Sequence, residues 1–234
     1  MPMAQEMAED TLMASRLMDV YHRLYAAYGP QHWWPGDSPF EVVAGAILTQ
    51  SAAWTNVETA LASMRASGCW SWEAVDQIPE SNLAQLVHSS GYFNAKARKL
   101  KAFAAHVAIN YQGNLDRFFS KPAAPLREEL LSIHGIGDET ADDIMVYAAN
   151  KPSFVIDTYT RRIMDRLGMT PDGARPKYGD YQAVFHDNLP PNVQLFNEFH
   201  ALWDRHAKES CAKTPRCEGC CLLDVCATGQ SQDR

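Results

Sequence analysis

Residues 38–50, SPFEVVAGAILTQ, constrain the fold more than any other stretch. Ser38 can cap a helix, Pro39 suits its first position, and Glu41 completes a capping box. Val43, Ile47 and their apolar neighbours then make a helix too apolar to face water on any side. The spacing therefore predicts a central helix wrapped by the rest of the chain.

The rest of the chain reads as helix after helix. Between about 10 and 28, Leu12, Leu17, Tyr21, Leu24, Tyr25 and Tyr28 recur at near-helical spacing. Further helices are expected near 54–67, 80–89, 95–110, 125–132, 139–149, 158–167, 177–187 and 192–208. Breaks fall at PGDSP, IPES, SGYFN, HGIG, NKPS and LPPN. Only FVID reads as extended, and no alternating strand series or repeat is present. The fold class is all-α with a cysteine-rich tail. The contiguous stretch 36–125 is expected to form one lobe, and 1–35 with 126–234 the other.

The 234 residues are enough for one large domain or two small lobes, and an apolar content of 46% is that of a globular chain. No run approaches the roughly 18 apolar residues of a membrane span. The start, MPMAQEMAED, lacks the charged and apolar regions of a secretory signal, so a cytoplasmic location is expected. A net charge of −7 argues against a generic binder of nucleic acid. The cations are unevenly placed, however. NAKARKLK (94–101) holds four with no acid, and Arg161, Arg162 and Arg166 follow in TRRIMDR. They could share one face, or they could belong to ordinary solvated helix surfaces.

GIGDETADDI (135–144) sets two glycines before a helix and then four acids within six residues. Bare amides near a helix N-terminus can hold a phosphate oxygen, although most Gly-x-Gly pairs are only turns. Acids in a first helical turn are favoured by the macrodipole by roughly 0.3–1 kcal/mol each. Asp157 follows twenty residues after Gly137, in FVIDTYTRR, where it could also cap a helix.

Together these segments resemble the endonuclease III superfamily of DNA glycosylases. LSIHGIGDETADDI is similar to its helix-hairpin-helix motif, FVIDTYTRR to the loop with the catalytic aspartate, GYFNAKARKLK to its G-x-x-N-x-K-A segment, and FEVVAGAILTQ to the helix ending in a DNA-inserting glutamine. The resemblance runs from about Phe40 to the tail. It implies two helical lobes binding double-stranded DNA with a damaged base, which is flipped out so that the sugar–base bond can be reached. Asp157 is then the catalytic residue, stabilising positive charge on the sugar or activating water. The resemblance carries DNA contact to Gln50, Tyr92, Lys96, Gly135, Ile136, Gly137 and Thr140, with Gln50 and Tyr92 filling the space left by the flipped base. Helix-end polarity for Gln50 and ordinary packing for Tyr92 are the plain alternatives.

Strand-cleaving members carry a lysine two positions after the second glycine. Here that position is Glu139, which cannot form an imine, so a monofunctional enzyme that leaves an abasic site is expected. QHWWPG and TQSAAW resemble the 3-methyladenine branch, where such residues line the base pocket. They correspond to Trp33, Trp34, Pro35 and Trp54, with Glu139 beside them. Cationic alkylated purines would stack well on indole faces, whereas paired tryptophans can also simply pack. An endonuclease III-like enzyme for oxidised or mismatched bases, and a noncatalytic iron–sulfur damage sensor, are the competing readings. A monomer is expected, associated with the nucleoid by its function.

Five of the six cysteines fall between Cys211 and Cys226. Clustering of this kind points to a metal site rather than to disulfides. The spacing of Cys211, Cys217, Cys220 and Cys226 resembles the superfamily's 4Fe-4S loop with the first gap one residue shorter, and four-cysteine zinc is the rival. Cys221 could replace Cys220. Cys69 is remote and expected to be a small buried hydrophobe.

Overall fold

The computed structural model describes residues 2–232, with side chains over 12–231. In chain order the helices are α1 (Pro2–Tyr28), α2 (Pro39–Leu48), α3 (Trp54–Ala66), α4 (Trp72–Gln77), α5 (Glu80–Leu86), α6 (Phe93–Tyr111) and α7 (Leu115–Phe119). They continue with α8 (Ala123–Ser132), α9 (Asp138–Asp143), α10 (Thr158–Leu167), α11 (Tyr178–Asn188), α12 (Val193–Glu209) and α13 (Ala227–Gln232). Helix α9 runs on as a π-helical turn, Ile144–Ala148. No strand occurs among the described residues. Helices α4, α7 and α13, with five or six residues each, have no counterpart in the sequence reading. Fewer than two turns cannot display a helical period.

The chain divides into two compact units, Trp34–Lys151 and Met1–Trp33 with Pro152–Arg234. The boundary therefore falls after Lys151 rather than near 125. The reason is packing. Leu126, Leu130, Ile133, Ile136 and Ala141 belong to the same buried cluster as Phe40, Leu100 and Phe103, so the hairpin goes with the first of these units and not with the termini.

Helix α2 organises that unit. Ser38 Oγ accepts from the Glu41 amide at 3.3 Å, while the Glu41 carboxylate accepts from the Asp37 amide rather than from Ser38. Phe40 and every residue from Val42 to Leu48 are buried. The helix packs against α3, α6, α9 and the π turn. A Cβ on Gly45 would lie 3.3 Å from two atoms of the Trp34 indole, so the small residue lets that ring settle against the helix.

The acids after the hairpin divide by role. Asp142 is fully buried and is held by Arg127 of α8 through two hydrogen bonds of 2.8 and 2.9 Å. The same guanidinium reaches exposed Asp138 at 2.9 Å. These carboxylates raise the Arg127 pKa further, by hydrogen bonding to Asp142 first. The fork ties α8 to α9 and so fixes the hairpin between them.

In the other unit, α1 buries Leu17, Val20 and Leu24, and packs with α11 and α12. Phe154 and Phe185 stack at 3.6 Å between ring centroids, with Phe199 and Trp203 edge-on to Phe185. Phe154, Val155 and Ile156 are buried without forming a strand. Their backbone is served by side chains of α11. The Phe154 amide donates to His186 Nε2 at 3.0 Å, the Ile156 amide to the Tyr178 hydroxyl at 3.2 Å, and the Phe154 carbonyl accepts from Gln182 at 2.8 Å.

Removing one partner of a buried ion pair strands the other. Arg127→Ala is expected to cost about 3–5 kcal/mol in chemical denaturation, with a lowered melting temperature. Asp138→Ala, at the exposed end of the fork, is expected to cost about 1 kcal/mol or less.

Candidate functional site

Several residues singled out in the sequence meet on the unit Trp34–Lys151. Gln50 and Ser51 follow α2, and Gly91 and Tyr92 precede α6. Gln50, Ser51, Tyr92, Ala95, Lys96 and Lys99 line one cleft of about 260 Å³. Ser51 and Tyr92 take left-handed backbone angles, φ +55° and +45°. For non-glycine residues this costs roughly 1–2 kcal/mol each. The Tyr92 side chain is 76% exposed. Two strained loops thus border one cleft, a pattern common at functional sites.

Gln50 is hydrogen-bonded to the hairpin. Its Nε2 donates to Thr140 Oγ1 at 2.9 Å and to the Gly135 carbonyl at 3.3 Å, while its Oε1 accepts from the Lys99 ammonium. The two hairpin glycines differ. Gly135 has φ +86°, and a Cβ there would meet the aliphatic stem of Lys99 at 2.3 Å. Gly137 is extended, with open space where a Cβ would stand. Ile136 is buried in the core, Thr140 is buried, and Glu139 is exposed on the first turn of α9.

Lys96, grouped in sequence with the DNA-contacting residues, is only 2% exposed. Its ammonium donates to the carbonyls of Leu48 and Ser90 at 2.8 and 2.6 Å, tying the end of α2 to the turn before α6. Burial, with a smaller contribution from Lys99, pulls its pKa down to about 8. The cation within reach of the cleft and hairpin is Lys99, which the sequence showed only as one member of a charge run.

Among the aromatics, Trp34 and Trp54 meet edge to face at 5.3 Å, and Tyr147 of the π turn joins Trp34 at 5.3 Å. Trp33 falls in the other unit, where the Lys208 ammonium lies 5.9 Å from its ring. Pro35 and Trp54 line a second cleft of about 410 Å³ with Trp70, Glu41, Glu58 and Arg65. Tyr147 was not foreseen, because its position on the helix face depends on the π turn.

Asp157 caps α10. One carboxylate oxygen accepts from the Thr160 amide at 2.6 Å, and the other lies 3.9 Å from His200 Nε2. The Asp157 side chain is 19% exposed. Burial pushes the His200 pKa down, opposed in part by Asp157. Capping occupies one oxygen, and the carboxylate still carries a charge that can oppose a positive one.

The cysteine loop encloses a cavity lined by Cys211, Cys217, Cys220 and Cys226 together with Arg166 and His206. Cys221 does not line it. N–H groups lie against two of the sulfurs, and a ring nitrogen against a third. Arg166 donates to Cys211 at 3.0 Å, the Gly229 amide donates to Cys226 at 3.4 Å, and His206 Nε2 lies 3.9 Å from Cys220. Hydrogen bonds from Cys221 and His206 pull the Cys220 thiol down to about 4, and the same bond pushes Cys221 up. Burial and the three neighbouring cysteines push Cys217 up. Among the described residues, no group of three His, Cys, Asp or Glu side chains is placed to hold a single metal ion. Cys69 is buried, as expected.

The structure thus holds a helical hairpin bearing a glycine pair and an aspartate capping the next helix, the arrangement implied by the sequence resemblance. The family model for the HhH-GPD superfamily of base excision DNA repair proteins matches residues 44–187, and the chain belongs to that superfamily. It is thus a base excision repair DNA glycosylase of the endonuclease III superfamily. It is 38% identical over 209 residues, covering 88% of this chain and 94% of the relative, to a Methanocaldococcus jannaschii protein described as a candidate DNA repair glycosylase. Endonuclease III of Sulfolobus acidocaldarius is 32% identical over 64% of this chain and 66% of its own. The Helicobacter pylori 3-methyladenine DNA glycosylase bound to 1,N6-ethenoadenine superposes with a TM-score of 0.69 at 25% identity, covering 86% of this chain and 97% of that one. An endonuclease III–DNA covalent intermediate shares the fold with a TM-score of 0.80 at 20% identity, covering 94% and 99%. No described helix is long and apolar enough to cross a membrane.

The buried Lys96 ammonium has a direct signature. Its side-chain NMR resonances are expected to titrate with a midpoint of about 8, whereas exposed lysines titrate near 10.4. The sign follows from burial, which disfavours the charged form.

Proposed function

We propose that the protein is a monofunctional glycosylase that hydrolyses the N-glycosidic bond of a flipped, alkylated purine in duplex DNA. The observation that carries the reading is Glu139. It stands exposed at the start of α9, two residues after Gly137, where strand-cleaving relatives hold a lysine. A carboxylate cannot form an imine with the sugar, so water is left as the nucleophile. The same carboxylate suits a cationic base. The aromatic group Trp34, Trp54 and Tyr147 supports this class, since indole faces favour cationic, electron-poor purines over neutral bases. The likeness to a 3-methyladenine glycosylase points in the same direction.

Asp157 is the catalytic residue in this reading. Its carboxylate is held at one oxygen by Thr160 N–H, and the other faces the positive charge that builds on the sugar. A neutral His200 behind it keeps the aspartate from being drawn into a full ion pair. The open face at Gly137 gives a backbone phosphate access to the amides of α9. Gln50 and Tyr92, at one cleft, fill the vacated stack.

The cysteine loop fits a 4Fe-4S cluster held by Cys211, Cys217, Cys220 and Cys226. Four thiols around one cavity, with N–H groups against two of them, suit a group with several metal atoms. When bound, the cluster supplies a cross-link for the loop, since hydrolysis transfers no electrons.

A panel of duplexes with single lesions, scored for base release with and without alkali, tests the reading. Release of alkylated purines is expected, with strand breaks only after alkali and no adduct trapped by borohydride. A trapped adduct would refute the monofunctional assignment. Asp157→Asn is expected to lower the single-turnover rate at least a hundredfold, in the range seen on loss of one electrostatic group, while binding persists. For the loop, Cys220→Ser is expected to abolish bound iron and acid-labile sulfide, and Cys221→Ser to retain both.

A further inference from the structure

Gln50 has both ends of its amide engaged in the DNA-free protein. Its nitrogen is donated to Thr140 Oγ1 and the Gly135 carbonyl, and its oxygen accepts from Lys99. A side chain meant to enter a base stack is therefore fastened to the hairpin that is meant to hold a phosphate. Lys99 joins the two. Its aliphatic stem crosses Gly135 so closely that a Cβ there would lie 2.3 Å from Lys99 Cγ, and its ammonium ends on Gln50. Lys99 also lines the cleft with Tyr92 and Ser51, and its side chain is only partly buried.

The ammonium of Lys99 rests on a neutral amide oxygen. Transfer to a phosphate keeps the charge-assisted hydrogen bond and adds charge–charge attraction that a neutral amide cannot supply. An anionic oxygen arriving at the open face of Gly137 competes for Lys99 with a clear advantage. We propose that Lys99 is a positioning residue that latches Gln50 in the free protein and releases it when its ammonium transfers to a DNA phosphate held by the hairpin. The proposal rests on the glycosylase reading given above. It couples two events in a fixed order, phosphate capture first and insertion second. Lesion-free collisions that do not seat a phosphate at the hairpin leave Gln50 stowed.

The test uses the full-length protein and a duplex carrying a tetrahydrofuran abasic analogue, the stable mimic of the product common to every lesion. A 2-aminopurine beside the analogue reports unstacking. Wild type is compared with Lys99→Met, which keeps the stem over Gly135, with Gln50→Ala, and with the double variant. Lys99→Met is expected to lower the slope of log affinity against log salt by about one, as for loss of one phosphate contact. It is also expected to leave the fluorescence change at saturating protein at or above the wild-type level, because Gln50 no longer has to be released. In the Gln50→Ala background the fluorescence change is already lost, and Lys99→Met then lowers only the slope. Gln50→Glu provides a second variant. Its carboxylate retains Lys99, so the slope is expected to fall by about one although the lysine is intact.

A fluorescence change cut at least twofold by Lys99→Met would mean that Lys99 supports the inserted Gln50 rather than stowing it, and would overturn the latch. An unchanged slope in Gln50→Glu would make Lys99 a phosphate contact independent of residue 50 and overturn it as well. Failure of the wild-type protein to bind the abasic duplex would bring down the glycosylase reading along with the inference, whereas wild-type binding with either preceding result brings down the inference alone.

Discussion

The unit Trp34–Lys151 depends on one constraint, a helix with no face that tolerates water. Because Val42 to Leu48 are all buried, α2 has to be enclosed, and α3, α6, α9 and the π turn enclose it. Enclosure fixes where its C-terminal end emerges. Lys96 then secures that end by donating to the Leu48 carbonyl, a group the helix itself leaves without a partner. Gln50 emerges two residues later, beside the hairpin. The position of a functional side chain thus follows from hydrophobic burial and one buried ammonium rather than from contacts of its own.

Much of this was legible in the sequence. The central helix, its cap and the helix Thr158–Leu167 follow from local chemistry, because capping residues and apolar spacing act within a few positions. The hairpin and its aspartate were legible as motifs. The domain boundary was not, since the buried face of α8 reads the same whichever core receives it. The burial of Lys96, to which the resemblance carried DNA contact, was not legible either. In a run of four cations, nothing in one sequence tells which ammonium is turned inward to carbonyls and which, like Lys99, borders a cleft. His200, Tyr147 and Arg166 stayed hidden for a related reason. Each gains its meaning from a partner far away in the chain, or from a π turn that shifts the helical register.

The acids after the glycine pair illustrate how one short string carries separate physics. Asp142 is a structural anion, fully buried under Arg127. Asp138 shares that guanidinium from the surface and also sits where the helix dipole favours negative charge. Glu139 takes no part in the fork and is exposed on the first turn of α9. A net charge of −7 is thus compatible with a DNA-binding family, because part of the negative charge is consumed internally by Arg127.

The extended segment Phe154–Ile156 has a consequence for the behaviour of the protein in solution. Extended backbone normally forms a ladder with another strand, and where it cannot, its open amides can recruit a strand from a second molecule. Here His186, Tyr178 and Gln182 occupy the ladder positions with side chains. With these groups occupied and all three residues buried, the chain leading to Asp157 offers a poor template for edge-to-edge assembly, even though its residue types are β-prone. The segment obtains the stiffness of a strand without the stickiness of a sheet edge.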